Sequence, residues 1–536
     1  MYESAGADAA RIRPRSSRNR RSAAASQPLL LAVDLGSSGL RASIAHATGH
    51  PIAVARQPLR SVRPPGGSKL AREFDPDGLR RAAGATIRSA LRLANVSGRD
   101  ISALGVTSQR EGIALLDRGG RTLYVGPNND LRGAFQGAAI DDTHASLIWK
   151  TTGHLPSFML AWSKLAWFRD EAPAVYTRIA CITSLADWLV HELTGELRLE
   201  RALGVEAGLV DVASGDPAEA LAARLGFESV EFPDLVNAGC ICGVVSAGAS
   251  DAYGIPGRLP VVIAGPDTQA GLVGIGVASP RDTGVIAGWS GTVQRVTNVP
   301  IFDAERGLWT GRHALTGRHV LEGNTGVMGG AFDWLVRLVS GGKTRSEDYS
   351  AIDRAALRKG RGAGSVSAHL GPDLVNLSKS SLRAGGIVFP VPLAFDPPDA
   401  GALGRAAIEN FAFAIRANLE RLATVAGSVD GASHRTDEDS SRVAVGGGMT
   451  RSATFRRVLA DVTNEHLHIG SPDASLLGAT TLTAAAIGVG PALDTALRAR
   501  ARGCGTVEPD PVAAGEYERL YEQWEHRGDV LAQIGV

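Results

Sequence analysis

The sequence predicts an α/β protein of two large domains with a ligand cleft between them, and three observations carry that expectation. The chain has 536 residues, too many for one ordinary hydrophobic core. Short apolar runs of the kind that form buried strands lead into glycine-containing turns, the place where α/β proteins set ligand loops. The same strand-and-turn pattern opens both halves, near residue 30 and again after residue 258. The boundary is therefore expected at residue 258, with domains at 28–258 and 259–536 and a separate extension at 1–27.

The extension carries Arg11, Arg13, Arg15, Arg18, Arg20 and Arg21 among Ser, Ala and Pro, with no apolar stretch inside it. That composition excludes a secretory signal and reads as a disordered basic segment. Order begins at Leu29-Leu-Leu-Ala-Val33, a buried strand, followed by the turn Asp34-Leu-Gly-Ser-Ser-Gly39 and a returning strand over 40–45. Asp75-Pro76 starts a helix over 75–94. Residues 101–107 and 113–116 read as strands, the second ending at the turn Asp117-Arg-Gly-Gly120, and 158–170 and 184–193 as helices, the second closed by Thr194-Gly195. In the other half, strands at 259–264, 283–287 and 442–445 each run into a glycine turn, and an amphipathic helix follows over 455–461. Residues 428–441 are polar without periodicity and read as a surface loop.

Composition removes several function classes. A formal net charge of +1 lacks the basic surplus of a nucleic-acid binder. No apolar run approaches the ~20 residues of a membrane span. Four cysteines in so long a chain suit a reducing cytoplasm, and Cys240-x-Cys242 without a second pair suits packing or a surface turn better than a metal. A cytoplasmic protein is expected, and a homodimer is compatible with these features.

The first motif is Asp34-Leu-Gly36-Ser37-Ser38-Gly39-Leu-Arg41. A turn rich in Gly and Ser leaves backbone N–H groups free to surround phosphate oxygens. Asp34 is placed to hold Mg²⁺, and Arg41 to add positive charge beside the phosphates. Alone, the turn suits a plain hairpin equally well. A second cradle, Gly288-Trp-Ser290-Gly291-Thr292, lies in the other half, and Gly446-Gly447-Gly448 offers side-chain-free backbone for a flat adenine ring. A nucleotide between two domains needs phosphate contacts from each.

Three such turns in this order resemble the superfamily of sugar kinases, Hsp70 chaperones and actin, and in detail the FGGY carbohydrate kinases, over roughly 29–495. Further stretches carry the resemblance: Ser108-Gln-Arg110-Glu111-Gly112, Asn128-Asn-Asp130-Leu-Arg132, Met159-Leu-Ala-Trp-Ser-Lys164-Leu-Ala-Trp167-Phe168, Gly265-Pro-Asp267-Thr-Gln269, and residues 446–461 followed by Asp473-Ala-Ser-Leu-Leu-Gly-Ala479, which are similar to the family's adenosine-binding segment. Within the family, Arg110-Glu-Gly-Ile113, Asn128-x-Asp130-x-Arg132, Asp187-Trp-Leu189 and Asp267-x-Gln269 are most similar to autoinducer-2 kinases, and less so to glycerol kinases. The resemblance implies two actin-like, ribonuclease H-like domains around an interdomain cleft. It also implies ATP and Mg²⁺ as cofactors and a short polyol, ketose or autoinducer-2-like compound as the small-molecule substrate. Asp267 becomes the catalytic base, with helix capping as the alternative. Arg110, Glu111, Asp130, Arg132 and Gln269 become substrate ligands, although an Asn-Asn-Asp turn is equally common in plain loops. Gly36, Ser37, Ser38, Arg41, Gly288, Ser290, Gly291, Thr292, Gly446, Gly447 and Gly448 become ATP ligands, and Asp34 the metal ligand.

Two departures stand out. Trp289 occupies a position that the family fills with a small residue, and the family's Gly-Glu-Arg-x-Pro segment is replaced by Phe389-Pro-Val-Pro-Leu-Ala-Phe395. They leave open a catalytically weakened homologue that binds nucleotide or sugar as a regulator. Trp162, Trp167 and Trp188, in helical settings, are expected in the core rather than against ligand.

Overall fold

The computed structural model describes residues 27–37, 39–49, 51–374, 384–391, 397–430, 442–503 and 505–534. The basic extension at 1–26, Ser38, and parts of the 389–395 and 428–441 segments lie outside these residues.

Two mixed sheets organise the molecule. The first has six strands in the order Ile241–Val244, Pro260–Pro266, Ile101–Ser108, Leu29–Gly36, Gly39–His46 and Pro51–Gln57. The second has seven, in the order Trp309–Arg312, His319–Val327, Ser290–Thr297, Thr283–Ala287, Val443–Gly446, Leu467–Ile469 and Gly505–Val507. At the heart of each is the same device. An antiparallel hairpin, Leu29–Gly36 with Gly39–His46 or Thr283–Ala287 with Ser290–Thr297, turns tightly around glycine, and its first strand pairs in parallel with a later strand, Ile101–Ser108 or Val443–Gly446. Near-continuous burial along Leu29–Gly36 explains its unbroken apolar run, since helices cover both faces of such a sheet.

The predicted boundary at residue 258 needs correction. Pro260–Pro266 does not start the second sheet; it pairs in parallel with Ile101–Ser108 inside the first. The change of sheet falls between the helix Asp267–Gly274 and the strand Thr283–Ala287. The local pattern of apolar strand and glycine turn is the same in both sheets, and only long-range pairing tells them apart.

Helices Asp267–Gly274 and Ala474–Ala486 cross at the junction of the two sheets, and glycine sets how close they come. A Cβ on Gly478 would collide with the Ala270 carbonyl, and one on Gly274 with the Ala474 carbonyl. The second helix also packs Leu476, Ala479 and Leu482 against Ala32 and Ala264 of the first sheet. The start of each helix is thereby aimed into the space between the sheets.

The predicted helices at 75–94, 184–193 and 455–461 correspond to Pro76–Ala94, Leu185–Thr194 and Ala453–Thr463. Asp75 and Ser184 cap the first two, and Gly195 ends the second in the left-handed region that glycine favours. The helix read at 158–170 is a 3₁₀ turn, Ser157–Met159, and then Ala161–Glu171. Residues 428–430, read as loop, are the last turn of the 31-residue helix Ala400–Asp430. Trp162 and Trp188 are fully buried, with their indole N–H groups donating to Gly208 O and Thr122 Oγ1, and Trp167 is half-buried. Among the described residues no helix is long and apolar enough to cross a membrane.

Candidate active site

A cavity of about 590 Å³ opens between the two sheets, and both hairpin turns line it. Gly36, Ser37 and Arg41 come from the first sheet, Gly288, Trp289 and Ser290 from the second, and Gly447 and Gly448 from the turn after Val443–Gly446. A Cβ on Gly447, whose φ is 97°, would stand 2.6 Å from the Ala287 carbonyl oxygen, so only glycine lets the two turns meet here. Gly291, Thr292 and Gly446 sit behind this lining, buried, and shape the turns rather than face the cavity. Trp289 stands at the rim, 47% exposed, with its ring against Gly330.

Asp34 is fully buried at the end of its strand. Its Oδ2 accepts hydrogen bonds from Arg41 and, at 2.7 Å, from the Ser475 hydroxyl at the start of helix Ala474–Ala486. Its Oδ1 is buried without a hydrogen-bond partner. A carboxylate with one oxygen tied back and the other free toward the turn suits a hydrated Mg²⁺ shared with phosphate oxygens.

Asp267 lines the middle of the cavity at the start of its helix, after Pro266 in extended conformation. Burial pushes its carboxyl up to about 7, and the negative charge of Asp34 adds to this; Arg110 and Arg41 pull the other way. One carboxylate thus feels the phosphate end and the Arg110 end at once. Pro266 holds the N-cap position and Asp267 is the first helical residue, so it is not placed as an N-cap aspartate would be.

Beyond Asp267 the cavity wall carries Gln109, Arg110 and Glu111, just past the Ile101–Ser108 strand. Glu111 adopts φ 55°, the left-handed region that non-glycine residues visit rarely and then chiefly at sites that need a side chain aimed unusually. Its Oε1 is buried without a hydrogen-bond partner, and burial lifts its carboxyl to about 7 against the pull of Arg110. Arg110 is held by Glu206 at 3.2 Å and Glu322 at 2.6 Å, stands 3.7 Å from Glu111, and lies over the Trp309 ring at 5.6 Å. Glu322 and Trp309 belong to the second sheet, so this arginine ties the domains together at the cavity.

A second layer fixes these groups. Gln269 does not line the cavity; its Nε2 donates to Glu206 Oε1 at 2.6 Å. Gln294 donates to Glu322, and His154 Nε2 stands 3.3 Å from Glu206. Burial works against a charge on Glu206, but Arg110 and His154 outweigh it and hold its carboxyl below the usual range.

Asp130 and Arg132 are not brought to the cavity. Asp130 accepts from Tyr124, from the Arg72 N–H and from Arg132 Nε at 2.6 Å, while Arg132 also binds Glu73 and lies over the rings of Tyr124, Trp167 and Phe168 at 4.5–5.2 Å. From the same turn it is Asn128 that reaches the cavity, and its Nδ2 donates to Ser37 Oγ at 3.1 Å. Arg132→Ala is therefore expected to cost about 3–5 kcal/mol of folding stability, as a buried carboxylate left without its cation does. Urea unfolding measures this; a loss of substrate affinity at unchanged stability would contradict it.

Sequence reading missed Glu206, Glu322, Gln294, His154, Trp309 and Ser475. Ser475 lies inside the 473–479 stretch without having been singled out; the others lie in no glycine turn or quoted motif and reach the site through tertiary packing alone.

Comparison with known proteins agrees with this architecture. The model described as "FGGY family of carbohydrate kinases, N-terminal domain" matches residues 29–274, and the corresponding C-terminal domain model matches 284–487. An autoinducer-2 kinase from Salmonella typhimurium is 26% identical over 528 residues, covering 92% of this chain and 93% of that protein. One from Escherichia coli K12 is 26% identical over 526 residues with the same coverage. Among solved structures, a xylulose kinase from Rhodospirillum rubrum superposes with a TM-score of 0.76 at 23% identity, covering 94% of this chain and 99% of that one. Plasmodium falciparum glycerol kinase with ADP gives 0.76 at 16% identity, covering 94% and 98%. With both family models matched in order across the two sheets and the cavity between them, the chain belongs to the FGGY family of carbohydrate kinases, phosphotransferases that act on sugars or similar compounds with ATP as phosphoryl donor.

Proposed function

We propose that the protein phosphorylates a hydroxyl of a short uncharged polyol, ketose or autoinducer-2-like carbonyl compound, with Asp267 as the general base. The observation that carries this reading is the place of Asp267 in one cavity, with Asp34 and Arg41 on its phosphate side and Arg110 and Glu111 on the other. The names of the autoinducer-2 kinases that match 92% of the chain support the substrate class.

Arg110 donates to substrate hydroxyls, and the free oxygen of Glu111 accepts from them, which fixes one hydroxyl toward the phosphate end. Asp267 takes the proton of that hydroxyl as its oxygen attacks the γ-phosphorus, and ADP leaves. Backbone N–H groups of the turns at 36–37 and 289–290, with Arg41, stabilise charge on the phosphoryl oxygens. Mg²⁺, which Asp34 would hold through Oδ1, supplies charge neutralisation on the phosphates. Closure of the two domains would exclude water and limit wasteful ATP hydrolysis.

A coupled ADP-release assay across polyols, ketoses and the autoinducer-2 precursor tests the reading. Turnover is expected to depend on the hydroxyl compound. ADP binding without turnover on any of them would contradict it.

A further inference from the structure

We propose that Arg56, together with Arg451 just past the Gly446-Gly447-Gly448 turn, forms a pair of nucleotide phosphate-binding residues, one from each domain. The proposal rests on the ATP-binding cavity described above. Both residues line that cavity beside the glycine turns. Arg56 projects from the strand Pro51–Gln57 of the first sheet, and Arg451 from the 3₁₀ turn Gly448–Arg451 that follows the glycine turn of the second. A Cβ on Gly448 would stand 3.7 Å from Arg451 Nη1, so the guanidinium hangs directly over the turn.

What the two share is a single carboxylate. Asp473 accepts from Arg56 Nη2 at 2.7 Å to each oxygen and from Arg451 Nη2 at 3.1 Å, and Arg41 Nη1 stands 3.7 Å away. Arg41 is itself bound to Asp34. Three guanidinium groups therefore share Asp34 and Asp473, with Asp267 acting on Arg41 from deeper in the cavity. The side chains of Arg56 and Arg451 are 48% and 53% exposed, and Asp473 is only 17% exposed. The carboxylate thus sits behind and holds the forks by one side, while donors remain toward the cavity. A guanidinium carries five N–H donors and matches phosphate oxygens in pairs, so a carboxylate on one side leaves capacity for a phosphate on the other. A di- or triphosphate reaching between the turns meets one arginine from each domain, and the same contact draws the domains together. Asp473 acts as the positioning residue for both.

Isothermal titration of ADP and of adenosine into the full chain tests this without turnover. Arg56→Ala and Arg451→Ala are each expected to weaken ADP about tenfold, the usual scale for one charge-assisted hydrogen-bonding group, and to leave adenosine binding unchanged. Arg118→Ala, in an exposed turn away from the cavity, should change neither and controls for net charge. Arg56→Lys should recover only part of the loss, because a point charge replaces a fork. Raising salt should weaken ADP binding less steeply in both alanine variants than in the wild type. Unchanged ADP affinity in both variants would overturn the proposal, as would equal loss of adenosine or a wild type with no affinity for ADP. A failure of the Asp267 assignment would show only in turnover, and a failure of this one only in ADP affinity.

Discussion

Asp267→Asn is expected to lower hydroxyl-dependent turnover by about 10²–10⁴-fold, the range that a positioned general base contributes, with ADP affinity retained. Asparagine keeps the shape of the side chain and removes its capacity to take a proton. Binding of the nucleotide depends on the turns and arginines, none of which hydrogen-bonds to Asp267. The same substitution carries an opposite effect on stability. The fold raises the Asp267 carboxyl from an ordinary 3.8 to about 7, chiefly by burial, so the ionised form is disfavoured in the folded protein. The stability tied to this group is complete below the ordinary value and is lost as pH rises through about 7. Asp267→Asn should therefore raise the melting temperature at pH 8, and the gain should vanish toward pH 4. A variant that loses activity while gaining stability is hard to explain by misfolding. Loss of both, or of neither, would count against the assignment.

Arg110→Ala is expected to produce the largest loss of stability among single changes at the site. It leaves Glu111, Glu206 and Glu322 buried without the cation they share. Breaking one buried pair costs about 3–5 kcal/mol, and here the strand end of the first sheet and Glu322 of the second lose a common tie. Urea unfolding at pH 8 measures it. As pH falls, the stranded carboxylates take up protons and the penalty shrinks, so wild type and variant should converge toward pH 5. A gap that stays constant with pH would mean that lost packing on Trp309, rather than charge, sets the effect.

The parts of the site legible in the sequence are those built from backbone. A phosphate cradle needs a tight turn with little side-chain bulk, and the glycines at 36, 288 and 447 announce it locally; at Gly447, with φ 97° and the Ala287 carbonyl oxygen 2.6 Å from a Cβ, no other residue permits the approach. Asp267 and Arg110 were readable for a related reason: each follows a buried strand that ends at the cavity. Side chains that converge from afar leave no such trace. Glu206 and Glu322 reach Arg110 across 96 and 212 positions, and nothing in their neighbours distinguishes them from surface acids. Arg56 and Asp473 meet across 417 positions, one on a strand edge and one before a helix. Asp130 and Arg132 do not line the cavity because the motif fixes their spacing but not their direction; the aromatic rings of Tyr124, Trp167 and Phe168 turn Arg132 into the fold. The domain boundary was misplaced for the same reason, since Pro260–Pro266 finds its partner by pairing with a strand some 160 residues earlier.

The pH dependence of kcat/KM, measured on the best hydroxyl substrate between pH 5 and 9, tests the central claim most directly. With Asp267 as the base, only its ionised form is competent, so kcat/KM should be level at alkaline pH and fall tenfold per pH unit below about 7. A profile that stays flat through pH 7, or one that Asp267→Asn leaves unchanged in height and shape, would contradict it.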